Sequence, residues 1–342
     1  MDKITLNAHA KINLSLEITG KRPDGYHDIV SFMQGLGLHD VLSIEKCTQK
    51  ATKYKLPHCT VNGIVVYLCT DAKTIPTDMD NLAFRAVKAF TDAIGLRDLE
   101  KYIPTDMDNL AFRAVKAFTD ALGKKDPEEY GLTDALLIDI RKDLPVSAGI
   151  GGGSANAAAC LLGLNEMTDR PFTLRQLMEI GGGFGADVPF STFMNAYRNR
   201  GVLAGLEGLE EASDAAWTAG IGEIVEPAES VPRYVILANP GTAISTKAAY
   251  KAFDEIGYTA AEKKLFINDM EKYTLRADRK AATLKRFMDE RLDAKELLMS
   301  GSGPTMVAYY EDVNKARRGM TALAELIEED CSIRAWLTDS GR

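Results

Sequence analysis

The sequence predicts an α+β fold arranged as two domains, and three observations lead there. At 342 residues the chain is too long for one small core and long enough for two. Strand-like runs mix with helical stretches instead of alternating strictly with them, which disfavours a doubly wound sheet. The pattern also restarts after a cluster of prolines and acidic residues near Pro227 to Pro232. The expected domains are therefore 1–228 and 229–342.

The strand-like runs before that boundary are Ile4–Leu6, Ile12–Ile18, Val41–Glu45, Gly63–Leu68 and Ala135–Ile140. After it come a strand at Arg233–Ala238 and a helix from Thr246 to Ile256, which Ser245 or Thr246 can cap. The charged run Asp278–Lys295 reads as a solvated helix face. Leu297–Ser300 and Thr305–Tyr310 then flank a glycine turn.

Composition narrows the function classes. Hydrophobic residues make up 46% and charged residues 26%, as in ordinary globular proteins. A net charge of −8 speaks against a general nucleic-acid or membrane-surface partner, since both want a basic face. No run of about 18 apolar residues suggests a membrane helix, and Met1-Asp-Lys-Ile-Thr-Leu lacks the core of a signal peptide. The five cysteines, Cys47, Cys59, Cys69, Cys160 and Cys331, are odd in number and irregularly spaced, which suits reduced cytoplasmic thiols. His58 and Cys59 with Cys47 and Cys69 match no zinc spacing.

An internal repeat interrupts the first domain. Residues 75–95 and 103–123 differ only at Ile94 and Leu122, at an offset of 28. Each copy reads as an amphipathic helix closed by Gly95 or Gly123. Two helices in one fold meet different neighbours, so near-identity points to tandem duplication and not to a solenoid. The first copy follows the strand at Gly63–Leu68 and the second precedes Ala135–Ile140, so each has one suitable neighbour.

The strongest chemical motif runs from Leu144 to Ser154 (LPVSAGIGGGS) into the alanine-rich stretch Ala155–Leu162. A strand, a glycine turn and a helix in that order aim backbone N–H groups and a helix N-terminus at an anion. Glycines 149, 151, 152 and 153 are expected to take positive φ and admit phosphate oxygens closely. Ser154 is a candidate for a phosphate hydrogen bond or a magnesium contact. The stretch is neither a Walker loop nor a dinucleotide fingerprint, because no Gly-Lys-Ser/Thr follows and Ser154 replaces the last glycine.

Pro145, Ser147, Ala148, Gly149, Ile150, Gly151, Gly152, Gly153 and Ser154 resemble the second motif of the GHMP kinases. Ala8–Leu14 (AHAKINL) resembles the first motif, and Met299–Thr305 (MSGSGPT), with Ser300, Gly301, Ser302 and Gly303, the third. The resemblance implies an N-terminal domain like ribosomal protein S5, a ferredoxin-like C-terminal domain, and ATP with Mg2+ as phosphoryl donor.

Two further stretches are similar to the kinases of 4-diphosphocytidyl-2-C-methyl-D-erythritol within that superfamily. Thr19–His27 (TGKRPDGYH) is similar to their cytosine-holding segment, with Tyr26 and His27 as substrate residues; a plain Pro-Asp-Gly hairpin turn is the alternative. Gly185–Phe190 (GADVPF) supplies Asp187, by resemblance the general base, with Lys11 beside it and Asn13 orienting the hydroxyl. The family's adenine-pocket Asn-Leu pair occurs twice, as Asn81-Leu82 and Asn109-Leu110.

The implied activity is phosphorylation of the substrate's 2-hydroxyl in non-mevalonate isoprenoid synthesis, by a cytoplasmic monomer or homodimer whose partner is a small cytidine diphosphate. Another GHMP kinase, acting on homoserine or mevalonate, and an inactive scaffold are the alternatives. Three departures from the family pattern stand out. They are the duplication, an extra stretch of roughly Ser191 to Trp217 expected to be helical, and a contraction after Tyr258.

Overall fold

The computed structural model describes residues 1–47, 58–61, 64–70, 135–145, 148–231, 233–242, 244–258 and 260–340. Both copies of the repeat lie outside them, as do Ser147 and the pairs Asn81-Leu82 and Asn109-Leu110. The chain is mixed α and β and forms two compact units built from interleaved segments. One comprises residues 1–9, 39–146 and 152–212; the other comprises 10–38, 147–151 and 213–342.

Two strands contribute to both units because they are far longer than the alternating runs in the sequence. Strand β1 spans Lys3–Lys21 and β2 spans His27–Cys47. The stretch between the predicted pieces, Asp28 to Asp40, carries Gly, Gln and Asp that weaken the strand signal. Pairing supplies what propensity does not.

In the first unit, the opening of β1 lies on β2, where the Lys46 N–H bonds Asp2 C=O at 2.8 Å. The sheet continues from β2 to β5 (Ala135–Arg141), β4 (Ile64–Thr70) and β3 (His58–Val61). Strands β4 and β5 are parallel, from Val65 opposite Ala135 to Thr70 opposite Ile140. Among the described residues three helices belong to this unit: α1 (Gly152–Met167), α2 (Leu174–Gly182) and α3 (Val188–Arg198). Helix α1 is apolar all round, with Ala155 to Asn165 continuously buried, as a central helix should be. Gly163 lets it close on the sheet, since a Cβ there would stand 3.0 Å from Ile44 and 3.3 Å from Ile4.

The expectation of one helical stretch from Ser191 to Trp217 holds only as far as Arg198. A series of turns follows, then a short 3-10 turn at Leu209–Glu211, then strand β6 (Ala215–Gly220). Glycines at 201, 205 and 208 break the helix, and Gly208 takes φ +85°. Alanine content alone does not show this, because Ala215 and Ala216 are buried on a strand.

In the second unit β1 and β2 form a hairpin around Pro23-Asp24-Gly25. The Arg22 N–H donates to Tyr26 C=O at 2.7 Å, and Gly25 takes φ +89°. Strand β6 pairs antiparallel with β2 and then with β7 (Ile224–Ala228), while β9 (Ile267–Asn268) adds to β1. The remainder is a βαββαβ sequence. It runs β8 (Arg233–Asn239), α4 (Thr246–Ile256), α5 (Glu271–Ala277), α6 (Arg279–Arg291), β10 (Glu296–Met299), β11 (Met306–Tyr310), α7 (Val313–Glu329) and β12 (Arg334–Ser340). Its strand order β10-β11-β8-β12, antiparallel throughout, is the ferredoxin-like arrangement. The charged run at Asp278 is a helix, with Asp278 as its cap and Ala281, Leu284 and Met288 facing the core.

Two polar devices fix the first unit. Asn195 and Asn199, one turn apart at the end of α3, serve the edge of β1. The Asn195 side-chain oxygen accepts the His9 N–H at 2.8 Å, while Asn199 accepts from Asn7 N–H at 3.1 Å and donates to its C=O at 2.9 Å. Helix side chains thus stand where another strand would otherwise pair. The second device is Asp40, fully buried. Its carboxylate accepts the N–H groups of Asp143 and Leu144, both at 2.8 Å, the Asn156 amide at 2.9 Å, and the Lys142 ammonium.

Asp40→Ala removes the carboxylate that accepts from the Lys142 ammonium and from two backbone N–H groups. It should destabilise the protein by about 3–5 kcal/mol in denaturant titrations. Asn195→Leu keeps the volume but removes the side-chain oxygen that accepts the His9 N–H, and should cost about 1–3 kcal/mol in the same measurement.

Candidate active site

The glycine loop is held at both its base and its tip. At the base, Asp40 binds Asp143, Leu144 and the helical residue Asn156. At the tip, Gly149 and Gly151 take φ +73° and +70°, conformations that favour glycine. Gly152 and Gly153 do not. They form the first turn of α1, so the four glycines divide into two that bend the loop and two that open the helix. No acidic side chain lies in that first turn to compete for an anion at its N–H groups.

The three predicted motifs converge on this tip within the second unit. The Lys11 N–H donates to Ile150 C=O at 3.0 Å, and the Ser300 hydroxyl donates to Gly149 C=O at 3.1 Å. A Cβ on Gly149 would come within 2.9 Å of Ser300 C=O and 3.0 Å of Gly303 C=O. One on Gly151 would come within 2.9 Å of the Lys11 side chain. Motif one and motif three therefore touch motif two where it has no side chain.

Lys11 and Asn13 point the same way along β1, two residues apart. The Lys11 ammonium donates to the Asn13 side-chain oxygen at 2.8 Å, and both residues are buried. The Asn13 amide donates to the Ser31 hydroxyl at 2.8 Å, and that hydroxyl donates on to Ser15 C=O. Its backbone N–H reaches the Ser300 hydroxyl at 3.3 Å. Asn13 is thus fixed on three sides.

The turn of motif three is pinned by residues the motif itself does not contain. The Asn268 amide donates to Met299 C=O at 2.7 Å and Gly301 C=O at 2.8 Å. Thr274 donates to Ser302 C=O at 3.0 Å, and the Thr246 and Ser302 hydroxyls lie 2.9 Å apart. Ser245 caps α4 by accepting the Ala248 N–H at 3.2 Å.

Asp187 sits in the first unit at the N-cap of α3, half-buried, with φ −85° and ψ −10°. Its backbone C=O accepts the Ser191 N–H, but its carboxylate takes up no capping bond. Gly181 and Gly185 shape this turn. A Cβ on either would clash with Val188, at 2.6 and 2.8 Å.

His27 opens β2 directly after the hairpin turn, next to the exposed Tyr26. Its ring is buried and stacks on Tyr250 at 4.9 Å between centroids, 16° from parallel. Nε2 lies 2.8 Å from the Asp254 carboxylate, which also accepts from Tyr258 at 2.7 Å and Lys21 at 2.5 Å. The sequence marks Tyr26 and His27 but not this support. The available signal was the spacing of Tyr250, Asp254 and Tyr258 at four-residue steps, which sets them on one side of a helix and its end. The hairpin and the functional reading of this segment are not exclusive, since the Pro-Asp-Gly turn is what delivers His27 to α4.

Among the described residues no cluster of three His, Cys, Asp or Glu side chains could hold a metal, and no helix is long and apolar enough to cross a membrane. A magnesium ion carried by nucleotide phosphates needs few protein ligands. One serine hydroxyl, Ser154 in the first turn of α1, fits that demand.

Known proteins resemble this chain over nearly its whole length. The profile described as GHMP kinases N terminal domain matches residues 109–195. A 4-diphosphocytidyl-2-C-methyl-D-erythritol kinase of Alkaliphilus metalliredigens is 29% identical, covering 98% of both chains. The enzyme of that name from Lachnoclostridium phytofermentans is 31% identical over 93% of this chain and 91% of its own. A solved structure of 4-(cytidine 5'-diphospho)-2C-methyl-D-erythritol kinase superposes with a TM-score of 0.61 at 23% identity, covering 99% of this chain and 100% of that one. Three motifs meeting at one loop, on a fold shared with that structure and with identity sustained end to end, place the chain in the 4-diphosphocytidyl-2-C-methyl-D-erythritol kinase family of the GHMP kinases.

Proposed function

We propose that the protein transfers the γ-phosphoryl group of ATP to the 2-hydroxyl of 4-diphosphocytidyl-2-C-methyl-D-erythritol. The observation that carries this reading is the junction of the three motifs, where Lys11 and Ser300 bond the glycine loop at Ile150 and Gly149. The N–H groups around Gly149, Gly151 and the start of α1 would receive the phosphates, and Ser154 the accompanying magnesium. A bound metal would neutralise charge on the phosphoryl oxygens.

Asp187 takes the proton from the substrate hydroxyl as its oxygen bonds to the γ-phosphorus. The bond from that phosphorus to the bridging oxygen breaks, and ADP leaves. The Lys11 ammonium offsets the negative charge that develops on the phosphoryl group, and Asn13, fixed by Ser31 and Ser300, orients the hydroxyl. Tyr26 and His27 hold the base of the substrate. By resemblance one Asn-Leu pair contributes to adenine binding, and the matched profile, which begins at Asn109, favours Asn109-Leu110 over Asn81-Leu82 for that role.

Substrate-dependent ADP release should fall about 10²–10⁴-fold in Asp187→Asn, with ATP binding retained. Binding of ATP without turnover in the parent chain would instead support the inactive scaffold. Asn109→Ala should raise the KM for ATP several-fold more than Asn81→Ala. Equal effects would end the assignment of the pocket to the second copy.

A further inference from the structure

His27 has a role assigned above, but the group that decides which of its nitrogens is a donor does not. Asp254, on α4, faces the ring edge of His27 with one carboxylate oxygen. That oxygen is 2.8 Å from Nε2 and 2.7 Å from the Tyr258 hydroxyl, while the other takes the Lys21 ammonium at 2.5 Å. Bonds from Lys21, Tyr258 and His27 hold the Asp254 carboxyl well below the usual carboxylate range, and the same contact pushes the Tyr258 hydroxyl up to about 12. Asp254 is therefore ionised and Tyr258 neutral near neutral pH. An ionised carboxylate only accepts hydrogen bonds, so Nε2 carries a hydrogen. Tyr250 covers one face of the ring and fixes its plane. The remaining nitrogen, Nδ1, has no hydrogen-bond partner among the described residues.

We propose that Asp254 is a positioning residue of the substrate site. It keeps the ring hydrogen of His27 on Nε2, so that Nδ1 is an acceptor for an amino group on a pyrimidine base. This rests on the reading that Tyr26 and His27 hold the substrate's base. Cytosine presents an exocyclic amino group, a donor that Nδ1 can accept. Uracil presents a carbonyl oxygen at the same place, and two acceptors then face each other. Base selectivity is thus set from α4 by a residue that need not touch the base, because the bond at one ring nitrogen fixes the role of the other.

The test has two arms on the full chain. Nitrogen-15 NMR of His27 near pH 8 should show a protonated Nε2 and an unprotonated Nδ1. A doubly protonated ring, or a hydrogen on Nδ1 alone, would overturn the proposal. The second arm compares the cytidine diphosphate substrate with its uridine counterpart. An unpaired acceptor should disfavour the uridine compound in kcat/KM by roughly ten- to a hundredfold in the parent.

Asp254→Ala should lose most of that preference, through KM far more than kcat, and its His27 should populate both tautomers. Tyr258→Phe, which keeps the carboxylate, should show a smaller shift of the same sign and guards against misfolding of the alanine variant. A preference unchanged in both variants would overturn the proposal while leaving the kinase reading intact. Absence of turnover with the cytidine substrate in the parent would instead overturn the kinase reading. In that case the ratio of cytidine to uridine diphosphate affinity, by calorimetry on parent and variants, decides the positioning role.

Discussion

The buried charge of Asp40 is the constraint on which the glycine loop depends. A carboxylate removed from water must be matched by donors or it destabilises the fold by several kcal/mol. Here the matching donors are the backbone of residues 143 and 144, the Lys142 ammonium and the Asn156 amide. Satisfying one charge thus joins the end of β5 to the first turns of α1. The glycine loop between them is anchored at both ends. A glycine loop without such anchorage would lose conformational entropy on binding.

The tip of the loop obeys a different rule. Gly149 and Gly151 are required twice over, by positive φ and by the backbone and side chain that stand within 3.0 Å of where a Cβ would be. Lys11 and Ser300 fill those approaches. The network extends through Asn13 to Ser31 and through Ser300 to the turn that Asn268 secures, so the geometry of the loop tip is tied to distant strands. Such fully bonded polar networks specify one arrangement, because a half-bonded version is costly.

Much of this was legible in the sequence. Ile12–Ile18 and Ala135–Ile140 read as strands, and the ferredoxin-like half follows the order of its apolar runs. The glycine loop, Lys11 and Ser300 were visible as local motifs, each recognisable within about ten residues. Asp40, Ser31 and Asp254 were not. Each is an ordinary polar residue until folding brings its partner from elsewhere in the chain, 16 positions away for Ser31 and Ser15 and 227 for Asp254 and His27. The segment beyond Asn199, which closes α3, misled for a related reason. Its alanine-rich composition suits a helix or a buried strand equally, and only pairing with β2 selects the strand for Ala215 and Ala216.

By itself the sequence determined the chemistry that local backbone geometry can express. It set the glycine turn leading into a helix, the Pro-Asp-Gly hairpin, the helix caps at Ser245 and Asp278, and the order of strands and helices, because these depend on neighbours within a few residues. Tertiary structure alone decided which side chains the motifs lean on. Asp40 under the loop, Asn195 along the edge of β1 and Asp254 behind His27 each satisfy a group far away in the chain. The physical reason is that a hydrogen bond's value depends on burial and on the alternative partners left to each group. Neither exists until the chain has packed.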